Sequence, residues 1–163
     1  MRYGGRGKPY QFVAGAYIVH NKKVLLIYHN ELKRWLPPGG HVKQDEKGYF
    51  METPEEAAIR EVKEETGLDV EIVGRKVTVE NPQIKALFLP ENMHIHEMDK
   101  KHDHLVLEYF CKPIGNVSKL KGSKEGKLKW FSIEELKNYP SNFDMSEEVR
   151  IRAIEAIEKL GGK

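Results

Sequence analysis

The stretch from Thr53 to Leu68 constrains this chain more than any other, because it specifies both ends of a helix and loads one side of it with acid. Thr53 suits an N-cap, Pro54 the first helical position, and Glu56 closes a capping box three residues on. Gly67 supplies the stop. At about 100° per residue, Glu61, Glu64 and Glu65 share one face, beside an apolar face of Ala58, Ile59, Val62 and Thr66. Like charges at i,i+3 and i,i+4 each cost a helix about 0.2–0.5 kcal/mol, and Lys63 points away from all three acids. Either the face is solvated, with Arg60 pairing to Glu56 and Glu64 one turn away on each side, or the acids hold a divalent cation. A hard cation such as Mg²⁺ takes carboxylate oxygens together with waters and substrate phosphates.

What precedes the helix bears on that choice. Trp35-Leu-Pro-Pro-Gly39-Gly40-His41-Val42 lies upstream, and Glu52 stands just before the cap. Glu52, seven intervening residues, then Arg60-Glu-Val-Lys-Glu-Glu-Thr-Gly67-Leu68 resemble the second half of the Nudix (MutT-like) hydrolase signature, Gx5Ex7REUxEExGU with U aliphatic. The first half departs from that pattern. Eleven residues separate Gly40 from Glu52 where the pattern has five, so a six-residue insertion is expected around Gln44 to Tyr49. Glu46 has the right spacing from Gly40 but lies too far from Arg60, whereas the cap and helix register favour Glu52.

The resemblance implies an α/β fold, a Nudix-like α/β/α sandwich with a mixed central β-sheet. It implies hydrolysis of a nucleoside diphosphate linked to another moiety, with Mg²⁺ or Mn²⁺ required. By similarity, Glu61, Glu64, Glu65 and the Gly40 carbonyl are the metal ligands, and Arg60 pairs with Glu52 to orient them. Glu61, Glu64 and Glu108 are all candidates for the general base. Trp35, His41 and Lys43, around the Gly-Gly turn, are candidate substrate contacts. The Trp35 indole either stacks on a base or fills the space beneath the turn. Lys43, Lys47 or Tyr49 could serve a flap formed by the insertion. Pro82, about fifteen positions after Gly67, leans toward ADP-ribose, near where relatives acting on that substrate carry a proline. Nucleotide sugars and ordinary or oxidised nucleoside triphosphates stay open, with dinucleoside polyphosphates and capped RNA less favoured.

Along the chain, residues 1–9 are glycine-rich and basic and read as a flexible arm. Phe12 to Val19 and Val24 to His29 form a hairpin through His20-Asn-Lys-Lys23. Val70 to Val73, Lys76 to Glu80 and Ile84 to Leu89 read as strands, broken at Asn81-Pro82. Pro90 to Asp103 reads as a solvated, substrate-facing loop, although His94, His96, His102 and His104 among acids could ligate a transition metal. His104 to Lys112 is the last long strand. There Glu108 interrupts an apolar face and either snorkels at a strand end or points into the site. Gly115 to Gly126 is a Gly/Ser/Lys-rich loop. Leu128 to Phe131 is a short strand, and Ser132 with Glu135 caps a helix from Ile133 to Asn138. A last helix, about Ser146 to Leu160, buries Val149, Ala153, Ala156, Ile157 and Leu160.

With 163 residues and 39% hydrophobic content, the chain is long enough for one domain with a core, spanning 1–163. A formal charge of +2 argues against bulk nucleic-acid or membrane binding, so a small-molecule nucleotide is the expected partner of a monomer or homodimer. Cys111 stands alone and reads as a core residue in a reduced, cytoplasmic setting. No apolar run approaches the ~20 residues of a membrane span. Two non-enzymatic readings compete. A catalytically silent nucleotide sensor would bind without metal-dependent turnover, and a His-loop metal-binding protein would keep its metal without the helix acids.

Overall fold

A computed structural model describes residues 7–122, 124, 126–140 and 144–162. Most of the expected N-terminal arm lies outside the described residues. The continuous apolar, β-rich runs between Tyr10 and His29 form two strands buried on both faces, β1 (Tyr10–His20) and β2 (Lys23–His29), joined at Asn21 and Lys22. Both turn residues take positive φ, 48° and 58°, the primed-turn geometry whose twist matches paired strands. Two three-residue strands follow, β3 (Arg34–Leu36) and β4 (Gly39–His41), then helix α1 (Pro54–Thr66) and β5 (Asp69–Ile72). The remainder comprises β6 (Asn92–Glu97), β7 (Asp103–Ile114), β8 (Gly126–Ser132), α2 (Ile133–Asn138) and α3 (Glu147–Leu160).

The sheet is mixed, in the order β3-β2-β1-β7-β5, and among the described residues its one parallel pairing, β1 with β7, is the long central seam. β1 is long enough to serve two neighbours on one side. Ile18 to His20 pair with β2, and Val13 to Gly15 pair with β4. β7 likewise pairs with β6 through its first half and β5 through its second, while β8 pairs with β2.

Strand alternation sends side chains to two cores. Ala14, Ala16, Ile18, Leu107, Tyr109 and Cys111 pack with Ala57, Ala58 and Val62 of α1 on one face. Tyr17, Val19, Leu26 and Phe110 pack with Leu136 of α2 and the stripe Val149, Ala153, Ala156, Ile157 and Leu160 of α3 on the other. The result is the α/β/α layering that the resemblance implies. On α1, Ala57 rather than Ile59 turns inward, and Ile59 is exposed.

Three segments differ from the sequence pattern. Residues 76–80 and 84–89 are an irregular excursion, tied down by the Lys76–Phe88 bridge, by the Leu89 N–H on the Arg75 carbonyl and by the Phe88 N–H on Glu55. Val77, Val79, Ile84 and Leu89 are exposed, so their β-branched and apolar character has no layer to pack on. Residues 92–97 are a strand, not a loop, because an edge strand tolerates His and Glu on its solvent side. Val117–Lys119 forms a short 3-10 turn within the Gly/Ser/Lys-rich connection.

Candidate active site

The Gly-Gly turn and the acid face of α1 are built against each other. β4 lies so close to β1 that a β-carbon on Gly39 would meet the Ala14 carbonyl oxygen at 2.5 Å. One on Gly40 would meet the Glu61 carboxyl at 2.6 Å. Only glycine lets the backbone pass between strand and helix here. The Gly39 N–H donates to Glu65 Oε2 at 3.0 Å, and Glu65 is 5% exposed. Helix α1 itself is fixed by the capping box, in which Glu56 N–H donates to Thr53 Oγ1 while Glu56 accepts from Thr53 N–H, and by Gly67 at φ 76°. Lys63 turns away to Asp69.

Arg60 organises the acids. Its Nε and Nη2 donate to the two oxygens of Glu52 at 3.0 and 2.6 Å. Its Nη1 reaches Glu61 at 2.6 Å and Glu64 at 3.3 Å, and Nη2 also donates to the His41 carbonyl at 3.1 Å. The planar fork thus joins the turn, the residue before the cap and the helix face. Hydrogen bonding to Glu52 raises the Arg60 pKa further, and the Arg60 hydrogen bond holds the Glu52 carboxyl below its ordinary value. The solvated-face pairing of Arg60 with Glu56 does not occur, since Glu56 instead caps the helix and meets Lys85.

The eleven residues between Gly40 and Glu52 close on themselves. Gln44 bridges Phe50, Asp45 Oδ1 accepts from the N–H groups of Lys47 and Tyr49, and Gly48 turns the chain at φ 86°. Lys43 and Glu52 are thereby brought side by side, the Lys43 N–H donating to Glu52 Oε1 at 2.9 Å. Lys43 enters this hydrogen-bond network through its backbone.

Two of the candidate residues belong elsewhere. Trp35 packs edge-on against Tyr28 and Phe131 and donates its indole N–H to the Tyr139 hydroxyl at 2.9 Å, so it is part of the α2/α3 layer rather than a base-stacking surface. Glu108 is not brought to the α1 acids. Its neighbours Leu107 and Tyr109 face α1, so Glu108 faces α3, accepting from Tyr17 and Asn92 at 3.4 and 2.8 Å. Burial pushes its carboxyl above the ordinary value. Asn92, Tyr17 and Glu148 around it were not marked by any sequence pattern. Strand alternation alone puts Glu108 and Phe110 on one face, and that was the available signal. His41 directs its ring to His104, with Nε2 atoms 3.2 Å apart.

The signature acids fit a hard cation. Glu61 and Glu65 converge on the Gly39–Gly40 turn, whose glycine cradle would be filled by any β-carbon, while Glu64 is exposed at the same rim. Oxygen-only donors beside a partly open rim suit Mg²⁺ or Mn²⁺ better than softer metals.

Comparison with known proteins gives a consistent result. The NUDIX domain family model matches residues 9–150. An uncharacterized Nudix hydrolase, YvcI of Bacillus subtilis, is 28% identical over 134 residues, 80% of this chain and 71% of that protein. A probable DHNTP pyrophosphohydrolase of Lactococcus lactis is 34% identical over 110 residues, 66% of this chain. The match spans 58% of that relative's length. Among solved structures, a NUDIX-family hydrolase from Clostridium perfringens superposes with TM-score 0.72 at 30% identity, covering 91% of this chain and 97% of the other.

Proposed function

The chain belongs to the Nudix hydrolase family, and we propose that it is a divalent-cation-dependent pyrophosphohydrolase that cleaves a nucleoside diphosphate linked to another moiety. The observation that carries this reading is the Arg60 clamp, which holds Glu52 and Glu61 while Glu65 is anchored on the Gly39 N–H. Acids held in this way are preorganised before substrate arrives. Glu61, Glu64, Glu65 and the Gly40 carbonyl would hold Mg²⁺ or Mn²⁺, which when bound neutralises phosphate charge, activates water and supports the leaving group.

The chain's own part is positional and acid–base. Arg60 fixes the rotamers of Glu52 and Glu61, a positioning role, since its donors are spent on the acids. Glu61 or Glu64 accepts the proton of the attacking water as its oxygen bonds to phosphorus and the bridging P–O bond breaks. The products are a nucleoside monophosphate and a phosphorylated remainder. Glu64 is the more exposed of the two, and its contact with Arg60 is the longer, at 3.3 against 2.6 Å.

The substrate range covers ADP-ribose, nucleotide sugars and nucleoside triphosphates. The Lactococcus relative's name adds DHNTP to the compounds worth testing. Hydrolysis of such a panel with Mg²⁺ or Mn²⁺, beside Glu65→Gln, tests the reading. Turnover that disappears in the variant supports it. Binding without turnover by the wild type would favour the silent sensor, and equal turnover in both proteins would remove Glu65 from the site.

A further inference from the structure

Behind the sheet, on the face away from α1, three side chains from three separate elements converge. His94 comes from β6, Glu108 from β7 and Glu148 from the first turn of α3. One ligand atom from each lies within 4.8 Å of the others, and His94 Nδ1 is 3.2 Å from Glu148 Oε1.

This is an unusual place for a carboxylate. Glu108 is 4% exposed and stands opposite Gly15 of β1, beside which Pro37 and Pro38 lie. Burying a carboxylate without full compensation is costly, and here a second carboxylate, Glu148, stands close by. The charged groups facing Glu108 are His94, Glu148 and Arg152, and Arg152 is committed to Glu155 at 2.8 Å. Local positive charge is therefore only partly supplied by the protein.

The geometry also resembles a prepared ligand set. Asn92 Nδ2 and the Tyr17 hydroxyl each donate to one oxygen of the Glu108 carboxylate, as outer hydrogen bonds orient metal-binding carboxylates. Asn92 Nδ2 also lies 3.2 Å from His94 Nδ1, coupling two of the three residues. One imidazole with two carboxylates favours Zn²⁺ and its neighbours over Mg²⁺, which prefers all-oxygen octahedra.

We infer that His94, Glu108 and Glu148 form a second metal site, for a divalent transition metal of the Zn²⁺ class, distinct from the carboxylate site on α1. Three protein ligands leave a further coordination position for water. Because the ligands join the sheet edge to the start of α3, occupancy ties these elements together and stabilises the folded chain by mass action. The inference does not depend on the hydrolase reading, and its readout is metal uptake, not turnover.

The test is Zn²⁺ titration of chelator-stripped, full-length protein by calorimetry, with Co²⁺ absorption as a probe of coordination. Wild type, Glu65→Gln, His94→Ala, Glu148→Gln and His104→Ala are compared. Zn²⁺ uptake and low-symmetry Co²⁺ bands are expected in wild type, Glu65→Gln and His104→Ala. Affinity should fall at least about tenfold in His94→Ala and Glu148→Gln. Zn²⁺ should also raise the melting temperature of wild type but not of His94→Ala. Glu148 is half exposed, so Glu148→Gln keeps the test valid even if His94→Ala misfolds. Absence of uptake in wild type overturns the inference, as does uptake unchanged by either ligand substitution. Loss confined to Glu65→Gln would assign the metal to α1, and loss confined to His104→Ala would assign it to the His41–His104 pair; either result overturns it.

Discussion

Gly40 lies so close to Glu61 that a β-carbon at position 40 would stand 2.6 Å from the carboxyl carbon. The flexible glutamate must yield, because the backbone of β4 is fixed by its pairing with β1. Gly40→Ala therefore displaces an acid from the cluster while leaving both cores untouched. Turnover should fall roughly 10–100-fold and more metal should be needed for half-maximal rate, with little change in melting temperature. Metal titrations of rate on the two proteins check this, and identical curves would mean that Glu61 has no part in cation binding.

The Arg60–Glu52 pair makes stability depend on acid. Both side chains are largely shielded, at 20% and 13% exposure, and the Arg60 hydrogen bond depresses the Glu52 pKa from its ordinary 4.5. A depressed carboxylate contributes stability above its unfolded pKa and loses that contribution as pH falls through its folded pKa. Glu52→Gln should cost about 1.5–3 kcal/mol at neutral pH, the range for charge-assisted hydrogen bonds. In urea unfolding, the gap between variant and wild type should narrow steadily below pH 4.5.

How much of this was legible beforehand differs by element. Helix α1 was readable to its caps, because Thr53, Pro54, Glu56 and Gly67 act through their nearest neighbours in sequence. The α3 stripe was readable for the same reason, 3.6-residue periodicity being local. The strands expected over residues 76–80 and 84–89 were not, since β-propensity there had no sheet to join: Val77, Val79, Ile84 and Leu89 stay exposed, and only Phe88 reaches the core. Trp35 and Glu108 show the deeper limit. Both are chemically suited to a site, and only the registers of β3 and β7 decide which layer they enter.

His104 adds a pH dependence of the same sign from a different cause, the burial of a neutral base. Burial first, then the charges of His41, His102 and His96, lower its pKa to about 4 from 6.5, against a smaller opposing effect of Asp103. Between those values the unfolded chain holds a proton that the folded chain does not, so stability declines as pH falls from 6.5 toward 4 and is unaffected above. Replacing His104 with Gln should flatten the midpoint of urea unfolding across that window. NMR titration of the ring should show it neutral at mildly acid pH, and a normal titration would show that His41 and His104 are not held together.

The 44–50 turn separates positioning from shielding. The Gln44–Phe50 bridge and the Met51 N–H, which donates to the Lys43 carbonyl at 2.8 Å, place Lys43 beside Glu52 without requiring the residues at the tip. Replacing residues 45–49 with Asn-Gly, which closes a two-residue hairpin, should preserve the fold and kcat. If the exposed Tyr49 and the lysines form a flap over the phosphates, KM rises; unchanged KM across the substrate panel would make the turn a surface feature.

Cys111 tests the packing of the α1 layer directly. It is fully buried among Leu107, Tyr109 and the α1 residues, and burial pushes its thiol up to about 12. Only about one thiol in 10⁵ is then ionised at neutral pH, and thiolate is the reactive form. Alkylation by iodoacetamide should accordingly be negligible in the folded protein and should appear with global unfolding, at the same urea concentration as the loss of circular dichroism. Labelling that ran ahead of unfolding would show that β7 opens locally, and with it the central seam between β1 and β7 on which both layers rest.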